Sequence, residues 1–224
     1  MSIPFSPYDF FGTLASGAIL VLAIDMSRSD INLVQLELNT QLSVLLLLAA
    51  YLLGQVNAGF SGWLLERRLT NGLLGGPTDA LFGTIARGRG IRTVLFPGYF
   101  TPLPTDLQKR ILARSSQSGI ASPGESLFHH VRTSVKSHSP TWEKMEAFLG
   151  RYGFSRNVSC SLLVSAVVAF LSRASVPPFT PGTFALLVFA FATAMYYRYL
   201  KFYRQYSYEM YTSYPDIPSA VTKQ

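Results

Sequence analysis

The sequence predicts an all-α protein, a helical membrane protein with four transmembrane helices and a small helical cytoplasmic domain. Charged residues make up only 14% of the 224 residues and hydrophobic residues 49%, whereas a soluble domain is typically about 25% charged. Four segments without Asp, Glu, Lys or Arg approach the ~20 residues that cross a bilayer. No alternating apolar and polar run persists long enough to indicate a sheet. The low charge argues against a soluble domain, a disordered chain and a coiled coil.

The four predicted spans form two hairpins. The N-terminal hairpin, residues 1–65, has spans at about 7–24 and 41–65, and the C-terminal hairpin, residues 157–197, has spans at about 157–174 and 179–197. The third charge-free segment is short, so a three-span arrangement with a re-entrant third segment is the alternative. No basic residue precedes the first span, which argues against a cleaved signal peptide.

The basic residues are unevenly distributed among the connections. Segment 66–156 carries thirteen of the nineteen and the tail 198–224 carries four, whereas connections 25–40 and 173–179 carry one each. Short cytoplasmic connections of membrane proteins are enriched in Lys and Arg. We therefore expect a multi-pass membrane protein with both termini and the insert 66–156 in the cytoplasm.

The insert is predicted to contain short helices joined by Pro and Gly turns. Helices are expected over Asp79–Arg87, after Thr105, after Ser122 and over 140–151, the last leading into the third span. Thr105 with Gln108, and Ser122 with Glu125, have the spacing of a capping box. Residues 91–104 are aromatic and rich in proline, and we expect an irregular segment that lies on the membrane surface or plugs an interface.

The fourth span is predicted to continue as a cytoplasmic helix into an aromatic and basic tail, residues 198–224. A set of side chains recurs there at the 3-4-3-4 spacing of a coiled-coil seam, namely Tyr196, Tyr199, Tyr203, Tyr206 and Met210. Three interpretations remain open: an interfacial aromatic belt followed by a helix packed on the insert, an oligomer or collar seam between subunits, and a stacking platform for nucleic-acid bases.

Small and polar residues concentrate in the second span. Ala50, Gly54, Asn57 and Ser61 share one helical face, Gln55, Gly59 and Gly62 share another, and Gly54, Ala58 and Gly62 form a small-xxx-small ladder. Such ladders let helix backbones approach closely in membranes. Tight helix packing and a polar pore stripe exposed on opening both explain this composition, and both remain open.

No enzyme motif is present, and we expect no catalytic centre, cofactor or metal site. The predicted spans contain no internal ionisable side chain other than Cys160 and tyrosines, which argues against a proton-coupled transporter or an intramembrane protease. His129 and His130 are adjacent and would point about 100° apart on a helix, which disfavours a shared metal. Arg132 and His138 have a loose R-x(4–6)-H spacing similar to that of some small helical ribonucleases, so RNA cleavage is a minor alternative.

The basic excess of the insert has more than one explanation. Anionic lipid headgroups attract Lys and Arg next to a membrane. An anionic regulatory ligand, such as a nucleotide or a short nucleic acid, explains the same excess. Its candidate contacts are Arg87, Arg89 and Arg92, because the GRGIR sequence places guanidinium groups beside flexible backbone amides. A cytoplasmic protein partner is a further candidate.

The chain combines few spans, a basic cytoplasmic module and the tail RYLKFYRQYSYEMY. In this layout it resembles the small multi-span membrane effectors of bacterial anti-phage defence systems. The resemblance implies a homo-oligomeric channel or pore that depolarises the membrane, and it assigns no site residue. The leading hypothesis is therefore a homo-oligomeric channel controlled through its cytoplasmic domain by an anionic ligand or partner. The alternative is a non-enzymatic accessory membrane subunit that anchors a cytoplasmic partner.

Overall fold

The computed structural model describes residues 7–27, 39–85, 90–172 and 179–217, and these residues form helices and turns with no strand. In chain order the helices are α1 (Pro7–Ser27), α2 (Thr40–Ser61), a π-helix (Gly62–Leu74), α3 (Pro77–Phe82), α4 (Ile91–Leu95), α5 (Thr105–Ser116), α6 (Glu125–Lys136), α7 (Ser139–Ser172) and α8 (Pro181–Ser213). A short 3₁₀ helix, Tyr214–Asp216, follows α8. The all-helical class is therefore as predicted.

Among the described residues, four helical stretches are long and apolar enough to cross a membrane. They are Phe10–Ser27, Thr40–Phe82, Pro140–Ser172 and Pro181–Asp216, which matches the predicted number of spans. The third is part of α7, a helix of 34 residues, and the charge-free segment forms only the C-terminal half of this helix. α8 continues from the fourth span into the tail as one helix that ends at Ser213.

The chain divides into two compact units. Unit 1 comprises Met1–Arg68 and Gly150–Tyr199, and unit 2 comprises Leu69–Leu149 and Leu200–Gln224. The boundaries fall inside the π-helix, α7 and α8, so each of these helices contributes residues to both units.

In unit 1, α1 and α2 approach each other at two glycines. A Cβ atom on Gly17 would overlap the carbonyl oxygen of Ala50, and one on Gly54 would overlap the carbonyl oxygen of Thr13. Only glycine fits at both positions, because the obstructing atoms belong to the backbone and cannot rotate away. The two backbones are therefore in direct contact, as small residues permit in membrane helices.

α7 holds α1 and α8 through serine hydroxyls. Ser161 Oγ donates to the Ser16 carbonyl oxygen at 2.8 Å, and Ser159 Oγ donates to the Ala192 carbonyl oxygen at 2.8 Å. The outer surface of unit 1 carries exposed large hydrophobic side chains, such as Phe170. This distribution is typical of helices that face lipid, because apolar side chains there lose nothing by being uncovered.

Unit 2 is built around an apolar and aromatic core. Its buried members are Leu81, Phe82, Leu103, Ile111, Leu127, Val131, Val135, Met145, Tyr206, Met210, Tyr211, Tyr214 and Ile217. Leu127, Val131 and Val135 of α6 are fully buried. Within this core, the Tyr211 hydroxyl lies 3.1 Å from Thr78 Oγ1.

Several helix boundaries in unit 2 differ from the prediction. α3 ends at Phe82 because Gly83 adopts a left-handed conformation, with φ of 67°, which terminates a helix. The caps of α5 and α6 are Pro104 and Gly124, and neither makes a side-chain cap hydrogen bond. Thr105 is already helical and so cannot be the cap, and the Gln108 amide instead donates to the Leu103 carbonyl oxygen at 2.9 Å.

Candidate functional site

The candidate site is a set of hydrogen-bonded side chains in unit 1 that joins α2 and the π-helix to α7. We call this set the polar network, and its members are Asn57, Ser61, Glu66, Tyr152, Arg156 and Asn157. Two side chains of opposite charge, Glu66 and Arg156, meet there inside a helix interface. A membrane interior makes such groups costly unless each has a partner.

The inner half of the polar network contains only uncharged groups. The Asn57 amide donates to the Asn157 carbonyl oxygen at 2.9 Å, and the Ser61 hydroxyl donates to Asn157 Oδ1 at 2.7 Å. All three residues are buried, with exposed fractions of 4%, 0% and 7% for Asn57, Ser61 and Asn157. These bonds fix the register of α2 against α7, because a shift of either helix would leave buried donors unsatisfied.

The outer half of the polar network contains an ion pair. Arg156 Nη1 donates to Glu66 Oε2, and the Tyr152 hydroxyl donates to the same oxygen at 2.8 Å. The side chains of Arg156 and Glu66 are only 15% and 25% exposed. Arg156 also reaches Asn157 Oδ1, at 3.4 Å from Nε, which connects the two halves. Each charge is thus hydrogen-bonded, the condition under which partly buried ions are tolerated.

The structure separates the predicted small and polar residues of α2 into two groups. Ala50, Gly54, Asn57 and Ser61 are the buried residues of α2, and Asn57 and Ser61 belong to the polar network. Ala58 and Gly62 are half-buried, and Gln55 is exposed. A Cβ on Gly62 would lie 3.6 Å from Arg156 Nη1, so the Gly54, Ala58, Gly62 ladder contacts neighbouring helices of the same chain at its two ends.

The predicted tyrosine seam of α8 is largely buried within the chain. In unit 1, Tyr199 is fully buried and its ring lies 5.7 Å from that of Tyr152 and 5.6 Å from that of Tyr196. In unit 2, Tyr206 belongs to the core, while Tyr203 is half-buried. These side chains therefore contribute to packing inside each unit rather than presenting one continuous exposed face.

Of the three arginines predicted to bind an anionic ligand, two lie outside the residues that the structure describes. Arg87 and Arg89 lie outside the described residues, and Arg92 lies in α4 with a side chain that is not described. Other basic residues of unit 2 are engaged internally: Arg110 with Asp216 at 2.8 Å, Lys144 with Glu209 at 2.8 Å, and Arg204 with the Thr101 carbonyl oxygen at 2.7 Å.

The histidines and Arg132, which were considered for metal binding or RNA cleavage, each interact with a different residue. His130 Nε2 lies 3.0 Å from the Tyr214 hydroxyl, and His138 Nδ1 lies 2.9 Å from Thr141 Oγ1. Arg132 is exposed and interacts with Tyr206. Within the described ranges, no group of three or more His, Cys, Asp or Glu residues could hold a metal ion.

Four members of the polar network were not predicted as site residues from the sequence: Glu66, Tyr152, Arg156 and Asn157. A signal was nevertheless present. Glu66 directly follows the predicted second span and Arg156 directly precedes the third, and the predicted topology places both on the same side of the membrane. Opposite charges at the same end of two spans can pair when the spans are neighbours, but the sequence does not say which spans are neighbours.

The chain matches no protein-family model, and comparison with curated proteins and with solved structures finds no similar protein. Function is therefore inferred from the geometry of the polar network and from the distribution of charge.

Proposed function

We propose that the protein is a homo-oligomeric channel of the bacterial inner membrane whose opening is controlled through unit 2. In this proposal the four apolar helices span the membrane, and both termini and the insert 66–156 lie in the cytoplasm. The distribution of basic residues supports this orientation, since seventeen of the nineteen then lie on the cytoplasmic side. The biological use that we propose is the one implied by the resemblance in layout, membrane depolarisation in anti-phage defence.

The observation that carries the proposal is the polar network. Its inner half satisfies Asn57, Ser61 and Asn157 by mutual bonds between α2 and α7. A chain that needed only to anchor a partner could use an apolar interface at this position, since replacing buried polar pairs by apolar side chains is often neutral or stabilising. In a channel, separation of α2 from α7 would offer the same groups to water and ions. We therefore assign the bonded arrangement to the closed state.

The π-helix supplies a means of opening. Glu66 lies on this 13-residue segment, and π-helical turns are uncommon and concentrate at functional positions. Conversion of part of the segment to α-helical bonding would rotate Glu66 about the helix axis and away from Arg156. The outer half of the polar network would then be broken without any unfolding of α7.

Control through unit 2 follows from chain continuity. α7 and α8 have residues in both units, so a change in unit 2 can act on the span through an unbroken helix. An anionic ligand, a nucleotide or a short nucleic acid, or a protein partner would act by binding the open and closed states differently. A roughly 100-fold difference in affinity would shift the equilibrium by about 2.7 kcal/mol. Arg87, Arg89 and Arg92 stay the predicted contacts for an anionic ligand.

Ion flux from purified protein in liposomes tests the proposal. We expect Glu66→Gln and Arg156→Gln to increase the basal flux, because each removes one charge from the bond that holds the closed state. The matched controls are Glu146→Gln and Lys109→Gln, which change the same charges at exposed positions of unit 2. Absence of flux from the parent and from both network variants would contradict a channel and would favour the accessory membrane subunit, particularly if a cytoplasmic protein co-purified.

The orientation has its own test. Cysteines introduced at Gln35 and at Gln117 should react with a membrane-impermeant reagent from opposite sides, Gln35→Cys in intact cells and Gln117→Cys only after permeabilisation. Gln117 is suitable because it is exposed. The reverse labelling pattern would contradict the proposed orientation.

A further inference from the structure

α2 carries a second regular face that no other part of the described chain covers. Its members recur at 3-4-3-4 spacing, and we call them the outward seam: Leu45, Leu48, Leu52, Gln55 and Gly59. All five are exposed, the three leucines at 61%, 53% and 56%. The 3-4 spacing is that of knobs-into-holes packing, in which two helices cross at about 20°. The outward seam therefore has the pattern of a helix interface without a partner in its own chain.

Gln55 distinguishes this face from an ordinary lipid-facing surface. It lies two positions from the midpoint of the predicted span 41–65, roughly 3 Å from the middle of the bilayer along a helix axis. Its side-chain amide is exposed and makes no hydrogen bond with the described part of the chain. Lipid tails offer neither a donor nor an acceptor, so an unpaired amide at this depth is unfavourable.

We infer that the outward seam binds the same seam of a second copy of this chain. A carboxamide carries both a donor and an acceptor, so two Gln55 side chains brought together by a twofold axis can each donate to the other. This self-complementarity is what an interface made of one patch and its copy requires. The inference deepens the proposed channel and rests on it, because it identifies the contact through which the homo-oligomer would form.

Gly59 makes the close approach possible. A Cβ placed on Gly59 meets no described atom within 4 Å, so the glycine is not required by packing inside the chain. Gly59 lies one turn from Gln55 and has no side chain. Two α2 helices could therefore come near enough at this point for their Gln55 side-chain amides to form hydrogen bonds. Gly54, on the opposite side of the helix, is required inside the chain. The two glycines therefore have different partners.

Cysteine cross-linking tests the seam directly. Single cysteines at Leu45, Leu48 and Leu52, which leave Gln55 and Gly59 in place, are introduced into the full chain with Cys160→Ala, and membranes are oxidised before electrophoresis. We expect dimer bands from these positions. We expect none from Leu186→Cys, which is a matched exposed leucine on α8, 67% exposed. Equal cross-linking at Leu186 would mean random collision and would overturn the inference.

The strength of association provides the second test, measured by energy transfer between two labelled populations of the full chain in liposomes. Gln55→Leu should weaken association roughly eight- to three-hundred-fold, the range expected for the loss of two hydrogen bonds between membrane helices. Gln55→Asn should restore part of it, because the carboxamide is kept. Gly59→Leu should abolish it, whereas Gly182→Leu, at a glycine that is equally open, should not.

The outcomes separate this inference from the proposed function. If the parent associates but Gln55→Leu and Gly59→Leu leave the energy transfer unchanged, the outward seam is a lipid-facing surface and the inference fails, while a channel assembled through another face survives. If the parent shows no energy transfer at any protein-to-lipid ratio, both the seam and the homo-oligomeric channel fail.

Discussion

The two faces of α2 have similar compositions and different surroundings. The inward face carries Asn57 and a glycine, Gly54, and both are buried against other helices of the chain. The outward face carries Gln55 and a glycine, Gly59, and both are exposed. The Asn57 amide on the inward face therefore forms a hydrogen bond inside the chain, whereas the Gln55 amide on the outward face is available to a neighbouring molecule. The two faces differ in what they pack against and not in the types of residue that they carry.

Because Gly54 contacts the backbone of α1, substitution of Gly54 should destabilise the protein far more than substitution of Gly59. Gly54→Ala places a methyl group on the Thr13 carbonyl oxygen, and overpacking of this kind costs about 1–3 kcal/mol or more. We expect loss of the monodisperse peak in detergent size-exclusion chromatography or a large fall in the apparent melting temperature. Gly59→Ala, in open space, should behave like the parent. Equal sensitivity of the two variants would contradict the close contact between α1 and α2.

The ion pair of the polar network should give the next largest effect. Arg156→Gln leaves the Glu66 carboxylate partly buried, bonded to the Tyr152 hydroxyl but without its cationic partner, and loss of a hydrogen bond to a charged group costs about 1.5–3 kcal/mol. The double variant Glu66→Gln and Arg156→Gln should recover part of this loss, since no charge is left unpaired. Apparent melting temperatures of the four proteins in a double-mutant cycle measure the coupling. Strict additivity would show that the two side chains do not interact.

The sequence predicted the fold class and the faces of α2 better than it predicted the site. Low charge and four charge-free segments suffice for a four-span helical protein, and the 3.6-residue period places Ala50, Gly54, Asn57 and Ser61 on one side. The partners of these residues could not be predicted in the same way, because Asn57 and Asn157 are 100 positions apart. Their contact depends on which spans are adjacent, and periodicity within one helix carries no information about that.

The ends of helices in unit 2 were also predicted incompletely, although they depend on local sequence. The pattern after Asp79 favours a helix to Arg87, but the left-handed backbone of Gly83 ends α3, and glycine is compatible with either outcome. The tyrosine spacing in α8 likewise indicated a shared helical face without specifying what that face contacts. Tyr199 lies against Tyr152 in unit 1, and Tyr206 lies in the core of unit 2.

The same change, a side-chain amide replaced by leucine, can be made on both faces of α2, and its effect on stability can then be compared between the two faces. Asn57→Leu removes the donor to the Asn157 carbonyl oxygen and should lower stability by about 1 kcal/mol, within the range of membrane helix hydrogen bonds. Gln55→Leu should leave the stability of the single chain unchanged, because its amide has no partner in the described part of the chain. Thermal unfolding at a detergent concentration that keeps the protein monomeric is the measurement. A larger loss from Gln55→Leu would reverse the assignment of the two faces.

The smallest effect is expected from the hydroxyl at the end of the inward face. Ser61→Ala removes the donor to Asn157 Oδ1 at 2.7 Å and leaves a methyl group of similar size, so no cavity follows. Arg156 Nε lies 3.4 Å from the same oxygen and remains as a weak donor, which limits the loss to about 0.6 kcal/mol, the average for a membrane hydrogen bond. Combining Ser61→Ala with Arg156→Gln removes both donors, so the pair should cost more than the sum of the two single changes. Additive melting-temperature shifts would instead mean that Asn157 Oδ1 is satisfied from elsewhere, and that the inner and outer halves of the polar network are independent.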